Sequence, residues 1–580
     1  MHSPGLPGLI GYIARYRVRF AAAFGCALAG SALASLIPLL QGRIIDYVVA
    51  GLTDAPLHYV LMFLFVAAAK FAVDSLRQYF GSRVALDVQR DIRTDLVRAV
   101  HRLDTASLRG IGSGPILESS TRDAALVEGL LDPLPSAFGS TVSLVVSLAV
   151  MLTLSPALTG LVALLAPVAA LSVRLTRHRV FPASSDAQRR TADLTGLVNE
   201  RVAGIEIVKS HAQEDRETTT VRSAATEVLT QRLRVVRLTT HYLSFMNVVP
   251  LLGQIAVFGV GALLVLHGKL SLGTLVAFLG YLTLIVGSAR VLTGLSSFFF
   301  DARAAVTRAL TLIRTHPSIK DGEGLLPACG AGRTVEIANV TFGYEPARPV
   351  LRELSLRAER NSLVVLTGGV GAGKSTVLDL VTRIYDADHG KVLVDGVDVR
   401  ELPLDALRRT VTTVTADAAL FHGSVLENIS CGQENATLAD VVAAAEAACA
   451  DEFISAMPQG YGSLVGETGT TLSGGQSQRV ALARALVRRP EVLLFDDATS
   501  AVDSATETRI HHHLVHEMSG VTRIVVTRRL STLAAADEVF LLDDGRVVEH
   551  GRHGELFARC EPYQRLVRAA GAPDRTGTGA

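Results

Sequence analysis

The run Gly368-Gly369-Val370-Gly371-Ala372-Gly373-Lys374-Ser375-Thr376 follows an apolar strand, Leu363-Val364-Val365-Leu366, and has the spacing G-x-x-x-x-G-K-[ST] of a phosphate loop. Glycines at these positions let backbone N–H groups wrap a phosphate chain. Lys374 reaches the β- and γ-phosphates, and the Ser375 hydroxyl is suited to Mg²⁺. A second apolar strand, Val492-Leu493-Leu494-Phe495, ends in Asp496, the carboxylate expected in the same Mg²⁺ shell. Between the two, Leu472-Ser473-Gly474-Gly475-Gln476-Ser477-Gln478-Arg479 opens a helical run, which taken alone is a helix start with a serine N-cap.

These groups need a rigid support. From Thr334 short β-branched strands alternate with helices and glycine turns, the pattern of an α/β domain. The chain as a whole has 580 residues, 49% of them hydrophobic and 19% charged, with a mean hydropathy of +0.35. A soluble domain carries about 25% charge, so disorder, collagen and a coiled-coil rod are excluded. The formal net charge of +1 leaves no nucleic-acid footprint. Cys26, Cys329, Cys431, Cys449 and Cys560 show no CxxC or paired spacing and read as incidental thiols in a reducing compartment.

The apolar residues concentrate before about residue 300, where a crossing needs about 20 of them. Phe20 to Gly42 is uncharged and follows Arg15, Arg17 and Arg19, which puts the N-terminus in the cytoplasm. Ala27-Leu28-Ala29 resembles a signal-peptide cleavage site, but the apolar run continues past it, so an uncleaved span is expected. Pro133 to Val173 is too long for one crossing, and Ser155-Pro156 divides it. Six spans are expected, at 20–42, 57–79, 134–155, 157–173, 238–266 and 270–289. Arginines concentrate between spans two and three and between four and five, while the outer turns hold little beyond Arg43 and Lys269; both termini inside satisfies the positive-inside rule. The two inner segments carry helical apolar spacing, as at Val84, Val88 and Ile92, so the helices are expected to extend into the cytoplasm.

An LSGGQ run between a phosphate loop and a Phe-Asp-Asp strand, preceded by six spans, resembles the ATP-binding cassette (ABC) transporter superfamily, exporter-type half-transporters in particular, over nearly the whole chain. The resemblance implies an α-helical six-span transmembrane domain (1–315) with long cytoplasmic extensions, a linker (316–333), an α/β P-loop ATP-binding cassette domain (334–570) and a disordered tail (571–580). It implies ATP and Mg²⁺ as cofactors, a bilayer of the inner (plasma) membrane, a cytoplasmic ATP domain and a small-molecule, lipid or peptide substrate. Tyr344 matches the aromatic that stacks on adenine, and Glu467 and Ser500-Ala501-Val502-Asp503 match further landmarks. Gly114-Pro115-Ile116-Leu117 with Asp123 resembles the first coupling segment; Glu200, Gly204, Val208-Lys209 and Glu214 resemble the second. In the family two cassettes meet head to tail, so Ser473, Gly474, Gly475 and Gln476 would complete the site of another cassette.

Three positions depart from the family pattern. Asp497 stands where a glutamate polarises the attacking water, and a side chain one methylene shorter sits on the order of 1 Å out of reach, worth about a hundredfold. Arg528 stands where a histidine contacts the γ-phosphate, and arginine cannot cycle a proton. Ala416 stands where a glutamine touches Mg²⁺ and water. All three serve hydrolysis, while the binding groups and the signature are intact. The expectation is one half of a heterodimeric exporter that holds ATP at a hydrolysis-impaired site and lends its signature to a second half-transporter. An exporter-fold importer, a slow homodimer, and a regulatory subunit or ATP-gated channel are the alternatives.

Smaller signals read as structure. Lys70 and Asp74, at i, i+4 in span two, can neutralise each other; Asn247 and Gln254 share a face of span five and suit interhelical hydrogen bonding or a cavity lining. His511-His512-His513 points three ways on a helix, which reads as a solvated face rather than a metal site.

Overall fold

In the computed structural model the described residues are 5–51, 56–164, 166–328, 330–345, 348–433, 435–466, 472–499, 501–513, 518 and 520–571. They form two compact units: residues up to 101 with 113–315, and 102–112 with 316 onward. Glu467 and Ser500, and the tail from 572, lie outside the described residues.

The first unit is helical: α1 (Gly5–Arg15), α2 (Arg17–Val49), α3 (Pro56–Arg102), then, beyond α4 (Thr105–Ile111), α5 (Ser113–Glu118), α6 (Ala124–Leu131), α7 (Leu134–Leu154), α8 (Pro156–Ala163), α9 (Ala166–Ala203), α10 (Ile205–Ser210), α11 (Glu214–Leu266) and α12 (Leu272–Arg314). Five helical stretches among the described residues are long and apolar enough to cross a membrane: 17–49, 57–102, 114–154, 248–266 and 272–295. Those at 17–49, 57–102, 114–154 and 272–295 run past at least one end expected from hydropathy, because helix continues where apolarity stops, while 248–266 falls within the expected fifth span. The fourth expected span falls on α8 and α9, where the side chains of 165–178 lie outside the described residues. Ser155 caps both the end of α7 and the start of α8, its hydroxyl accepting from Leu158 N–H, so a single extended residue makes the break.

Small residues bring these helices together. The buried side of α2 is Ala23, Ala27, Gly30, Ser31, Ala34, Ser35 and Pro38, and the Ser31 hydroxyl donates to Gly139 C=O of α7 at 2.7 Å. At the other end of α2, a Cβ on Gly273 would fall 2.0 Å from Gly42 O. Asp46 then caps α12, accepting from Gly273 N–H at 2.8 Å and from the Ser271 hydroxyl at 2.7 Å. Lys70 pairs with Asp74 as expected, and Arg77 joins them at 3.5 Å. Gln254 donates across to Thr283 of α12 at 3.5 Å; the side chain of Asn247 lies outside the described residues.

Asp123 is fully buried at the end of a π-helical turn, Ser119–Asp123. Arg308 of α12 clamps it with two hydrogen bonds of 3.0 and 2.5 Å, and Ser119 adds a third. The Arg308 side chain is half exposed, so the two partners are unequal. Arg308→Met strands a buried carboxylate and is expected to cost about 3 kcal/mol, read as a lower midpoint of thermal unfolding in detergent, whereas Asp123→Asn, which removes the charge itself, costs clearly less. Equal losses would contradict this assignment.

In the second unit a six-stranded sheet has the order β12-β11-β3-β10-β9-β6, beside a four-stranded sheet β2-β1-β4-β5 and a two-stranded β7-β8. The strands are β1 (Val335–Phe342), β2 (Leu351–Ala358), β3 (Leu363–Gly368), β4 (His389–Val394), β5 (Val397–Asp398), β6 (Val411–Thr415), β7 (Gly423–Ser424), β8 (Leu464–Val465), β9 (Val492–Asp496), β10 (Thr522–Val526), β11 (Glu538–Asp543) and β12 (Arg546–Gly551). The helices are α13 (Lys374–Val381), α14 (Leu404–Thr410), α15 (Val425–Ser430), α16 (Leu438–Ala447), α17 (Asp451–Ser455), α18 (Gly474–Leu486), α19 (Ser504–His512), α20 (Leu530–Ala535), α21 (His553–Arg559) and α22 (Glu561–Gly571). β3, β9, β10 and β6 are parallel, and β3 and β9 are buried along nearly their whole length, as expected of strands covered on both faces. Register pairs Thr415 with Asp496, Asp496 with Val526 and Val526 with Leu366. The carboxyl ends of four strands therefore finish on one edge, where ligands of open α/β sheets bind.

Residues 102–112 group with this unit. Asp104 caps α4 through Ser107 N–H at 2.8 Å and also accepts from Ser318 N–H at 2.6 Å. Burial alone would raise its carboxyl, but these hydrogen bonds outweigh it and hold the pKa at about 2. Arg109 lies over the Tyr385 ring, 5.6 Å from its centroid. The docked segment is thus 102–112, not the expected Gly114 to Asp123, which stays with the first unit. Gly112, at φ +79°, turns the chain between them, and Asp123 is consumed by Arg308.

Candidate functional site

The phosphate loop sits between the end of β3 and the start of α13, with Gly368, Gly371 and Gly373 all at positive φ. Two of these exclude any other residue. A Cβ on Gly373, at φ +91°, would come 2.5 Å from Leu351 Cδ2, and one on Gly368 would come 2.1 Å from Leu542 O. Val370 is almost wholly exposed at the loop tip and Ala372 is buried beneath it. Lys374 Nζ donates to Gly369 O at 2.7 Å and Gly368 O at 3.3 Å, so its ammonium lies over the loop it serves. Burial and the nearby Arg528 guanidinium lower its pKa, against the pull of Asp497 and Asp496.

Tyr344 stands edge-on to Phe342 and Tyr385, with ring centroids 5.2 Å away in each case, and its hydroxyl meets Thr376 Oγ1 at 3.1 Å. One face of a half-exposed ring is left for a flat ligand, as adenine stacking requires. Ser375 heads α13 and Asp496 ends β9, two hard oxygen donors that fit Mg²⁺.

Asp497 adopts φ +47°, a left-handed conformation that aspartate tolerates better than most residues. Burial and then Asp496 push its carboxyl up, while Lys374, Arg528 and Arg529 pull it down. Ala416 follows Thr415 at the end of β6, and its carbonyl accepts from Gln478. The three departing positions therefore lie around the same strand ends as the phosphate loop.

The signature segment is a capped helix start. The Ser473 hydroxyl accepts from Gln476 N–H at 3.3 Å, and the Gln476 side chain returns to Ser473 N–H at 2.9 Å, a complete capping box that presents the N-terminus of α18. Gly475 is forced, because a Cβ there would lie 2.6 Å from Ala501 O.

Two groups escaped the sequence reading. Glu507, 6% exposed, pairs with Arg529 and accepts from the Thr499 hydroxyl at 2.6 Å. Gln478 is buried between two loops. Nothing local marks either, apart from the N-cap Asp503 that starts α19 one turn before Glu507. Of the histidine run, His511 borders a cavity of ≈ 100 Å³ with Asp497, Glu507 and Arg529, while His512 is exposed. Among the described residues no group of three or more His, Cys, Asp and Glu side chains could hold a metal ion. Cys26, Cys431, Cys449 and Cys560 are free thiols.

Residues 20–289 match the ABC transporter transmembrane region and residues 351–500 the ABC transporter family. The chain is 39% identical over 562 residues to a multidrug efflux ATP-binding/permease protein of Mycobacterium bovis, covering 97% of this chain and 47% of that one. It is 32% identical over 565 residues to a putative multidrug export ATP-binding/permease protein of Staphylococcus aureus, covering 96% and 98%. The chain thus spans about half the length of the mycobacterial relative and nearly all of the staphylococcal one. The solved structure of a bacterial Atm1-family ABC exporter with ATP bound is similar at a TM-score of 0.83 and 28% identity, covering 96% of this chain and 100% of that one.

Proposed function

Because the chain belongs to the ABC transporter superfamily, with an exporter-type membrane domain and an ATP-binding domain in one polypeptide, we propose that it is one half of an ATP-driven efflux pump in the inner (plasma) membrane, paired with a different half-transporter. It binds ATP with Mg²⁺ at its own phosphate loop, hydrolyses it poorly there, and lends its signature helix to the partner's competent site.

The observation that carries this reading is the split within one site. The groups read as gripping the nucleotide are all present: Tyr344, the loop amides, Lys374, Ser375 and Asp496. The groups that would handle water and the γ-phosphate are a short carboxylate, an arginine and an alanine. The Ser473 to Gln476 helix start is capped and complete. Bound at Ser375 and Asp496, Mg²⁺ would supply Lewis-acid charge; the chain itself binds the phosphates with Lys374 and the loop N–H groups and orients the base beside Tyr344.

Closure of two ATP domains would be passed to the membrane helices through 102–112, which docks by Asp104 and Arg109, and through α10. The relatives' names point to drugs as cargo. The alanine-, leucine-, valine- and serine-rich spans suit an amphipathic or apolar molecule.

Purified and reconstituted alone, the chain is expected to bind ATP yet turn it over slowly, with no stimulation by candidate drugs. Co-reconstitution with a half-transporter that keeps both glutamate and histidine raises the rate and adds drug stimulation. Brisk, drug-stimulated hydrolysis by the chain alone overturns the proposal.

A further inference from the structure

Gln478 lies on α18 two residues beyond the signature and is 5% exposed. Its amide nitrogen donates to Ala416 C=O at 3.1 Å, and its amide oxygen accepts from Ala501 N–H at 3.0 Å. A carbonyl can only accept and a backbone N–H can only donate, so these contacts set the orientation of the amide. Ala416 belongs to the segment that leaves β6, whose last residue, Thr415, pairs with Asp496 of the chain's own site. Ala501 belongs to the segment after Asp496 and Asp497, against which Gly475 of the signature is packed. One buried side chain thus holds a loop of the chain's own site and the two elements, 473–476 and 501–503, that it would present to a partner.

The same helix grips the first loop again. Arg484 of α18 donates to Ala419 C=O at 2.9 Å. Between these two anchors Ala419 N–H bonds Asp417 C=O at 3.0 Å, so the segment is a tight local turn and not a free tether. A displacement of Ala416 either drags α18 and Ala501 with it or leaves buried polar groups without partners, which is costly.

We propose that Gln478 is the positioning residue through which occupancy of this chain's own phosphate loop sets the placement of its signature helix and of Ala501 to Asp503. The inference rests on the reading that ATP is held here while the signature serves another site. In that reading the slow site regulates the fast one, and the information crosses through one amide. Both arms are needed: an acceptor-only side chain can hold Ala501 N–H but not Ala416 C=O.

Hydrogen exchange of the full chain in lipid nanodiscs, with and without Mg-ATP, tests this. In the parent chain ATP slows exchange at 473–476 and 501–503, and Lys374→Ala abolishes the effect; if the parent does not bind ATP, the functional reading fails rather than this inference. Gln478→Met, of similar volume but without either hydrogen bond, is expected to bind ATP within about threefold of the parent, as for a residue that does not touch the ligand. It is expected to keep its unfolding midpoint within a few degrees, about what a loss near 1 kcal/mol produces, and to lose the ATP-dependent protection at 473–476 and 501–503. Gln478→Glu, which keeps only the Ala501 arm, loses it as well. Protection that survives in Gln478→Met overturns the proposal. So does failure of both variants to fold, which would assign Gln478 to stability alone.

Discussion

Replacing Asp497 by glutamate, Arg528 by histidine and Ala416 by glutamine in one chain is expected to raise ATP turnover of the chain reconstituted alone by about 10² to 10⁴-fold, the span of a well-placed general base. The intact signature of one copy would complete the repaired site of another. Asp497→Glu on its own should recover little. The residue at 497 sits at φ +47°, where a longer side chain pays a backbone cost of about 1 kcal/mol. Arg528 would still face the γ-phosphate without a proton to exchange, and residues that act as a unit are strongly non-additive. Turnover is read by phosphate release beside a binding measurement with a fluorescent ATP analogue. A triple variant that binds ATP as the parent does, and is no faster, means that these positions are not what limits hydrolysis.

The site was legible where its chemistry is written in contiguous runs. Gly368 to Thr376, Val492 to Asp496 and Leu472 to Gln476 each carry an element boundary within themselves: a strand end, a glycine turn, a helix cap. Contacts that join distant parts of the chain left no such mark. Gln478 and Ala416 are 62 residues apart, and Arg308 and Asp123 are 185 apart; no period or spacing connects either pair. The docked segment is instructive because local signals for it were present. Asp104 followed by Thr105, and Gly112 after the helix, are the start and stop marks of a short capped helix. The resemblance at Gly114 to Leu117 lies just downstream of them, within α5. The membrane spans were legible as apolar runs, but their ends were not, since α2, α3 and α11 remain helical well beyond the apolar stretch.

Lys374→Ala is expected to weaken ATP binding by roughly 10- to 150-fold, since a hydrogen bond to a charged group is worth about 1.5–3 kcal/mol. The size within that range depends on Arg528. This guanidinium lies close enough to depress the Lys374 ammonium, so the phosphates would meet two fixed cations, and the one that remains should retain part of the affinity. Arg528→Ala alone then also weakens binding, and the double variant loses more than Lys374→Ala does. Raising the salt narrows the gap between the parent and the Arg528→Ala chain more than it does for Lys374→Ala, because the exposed charge is screened and the half-buried one is not. Titration of a fluorescent ATP analogue at two ionic strengths reads all of these. If Arg528→Ala binds as tightly as the parent at low salt, Arg528 faces solvent and not the γ-phosphate, and its place in the impaired site would have to be withdrawn.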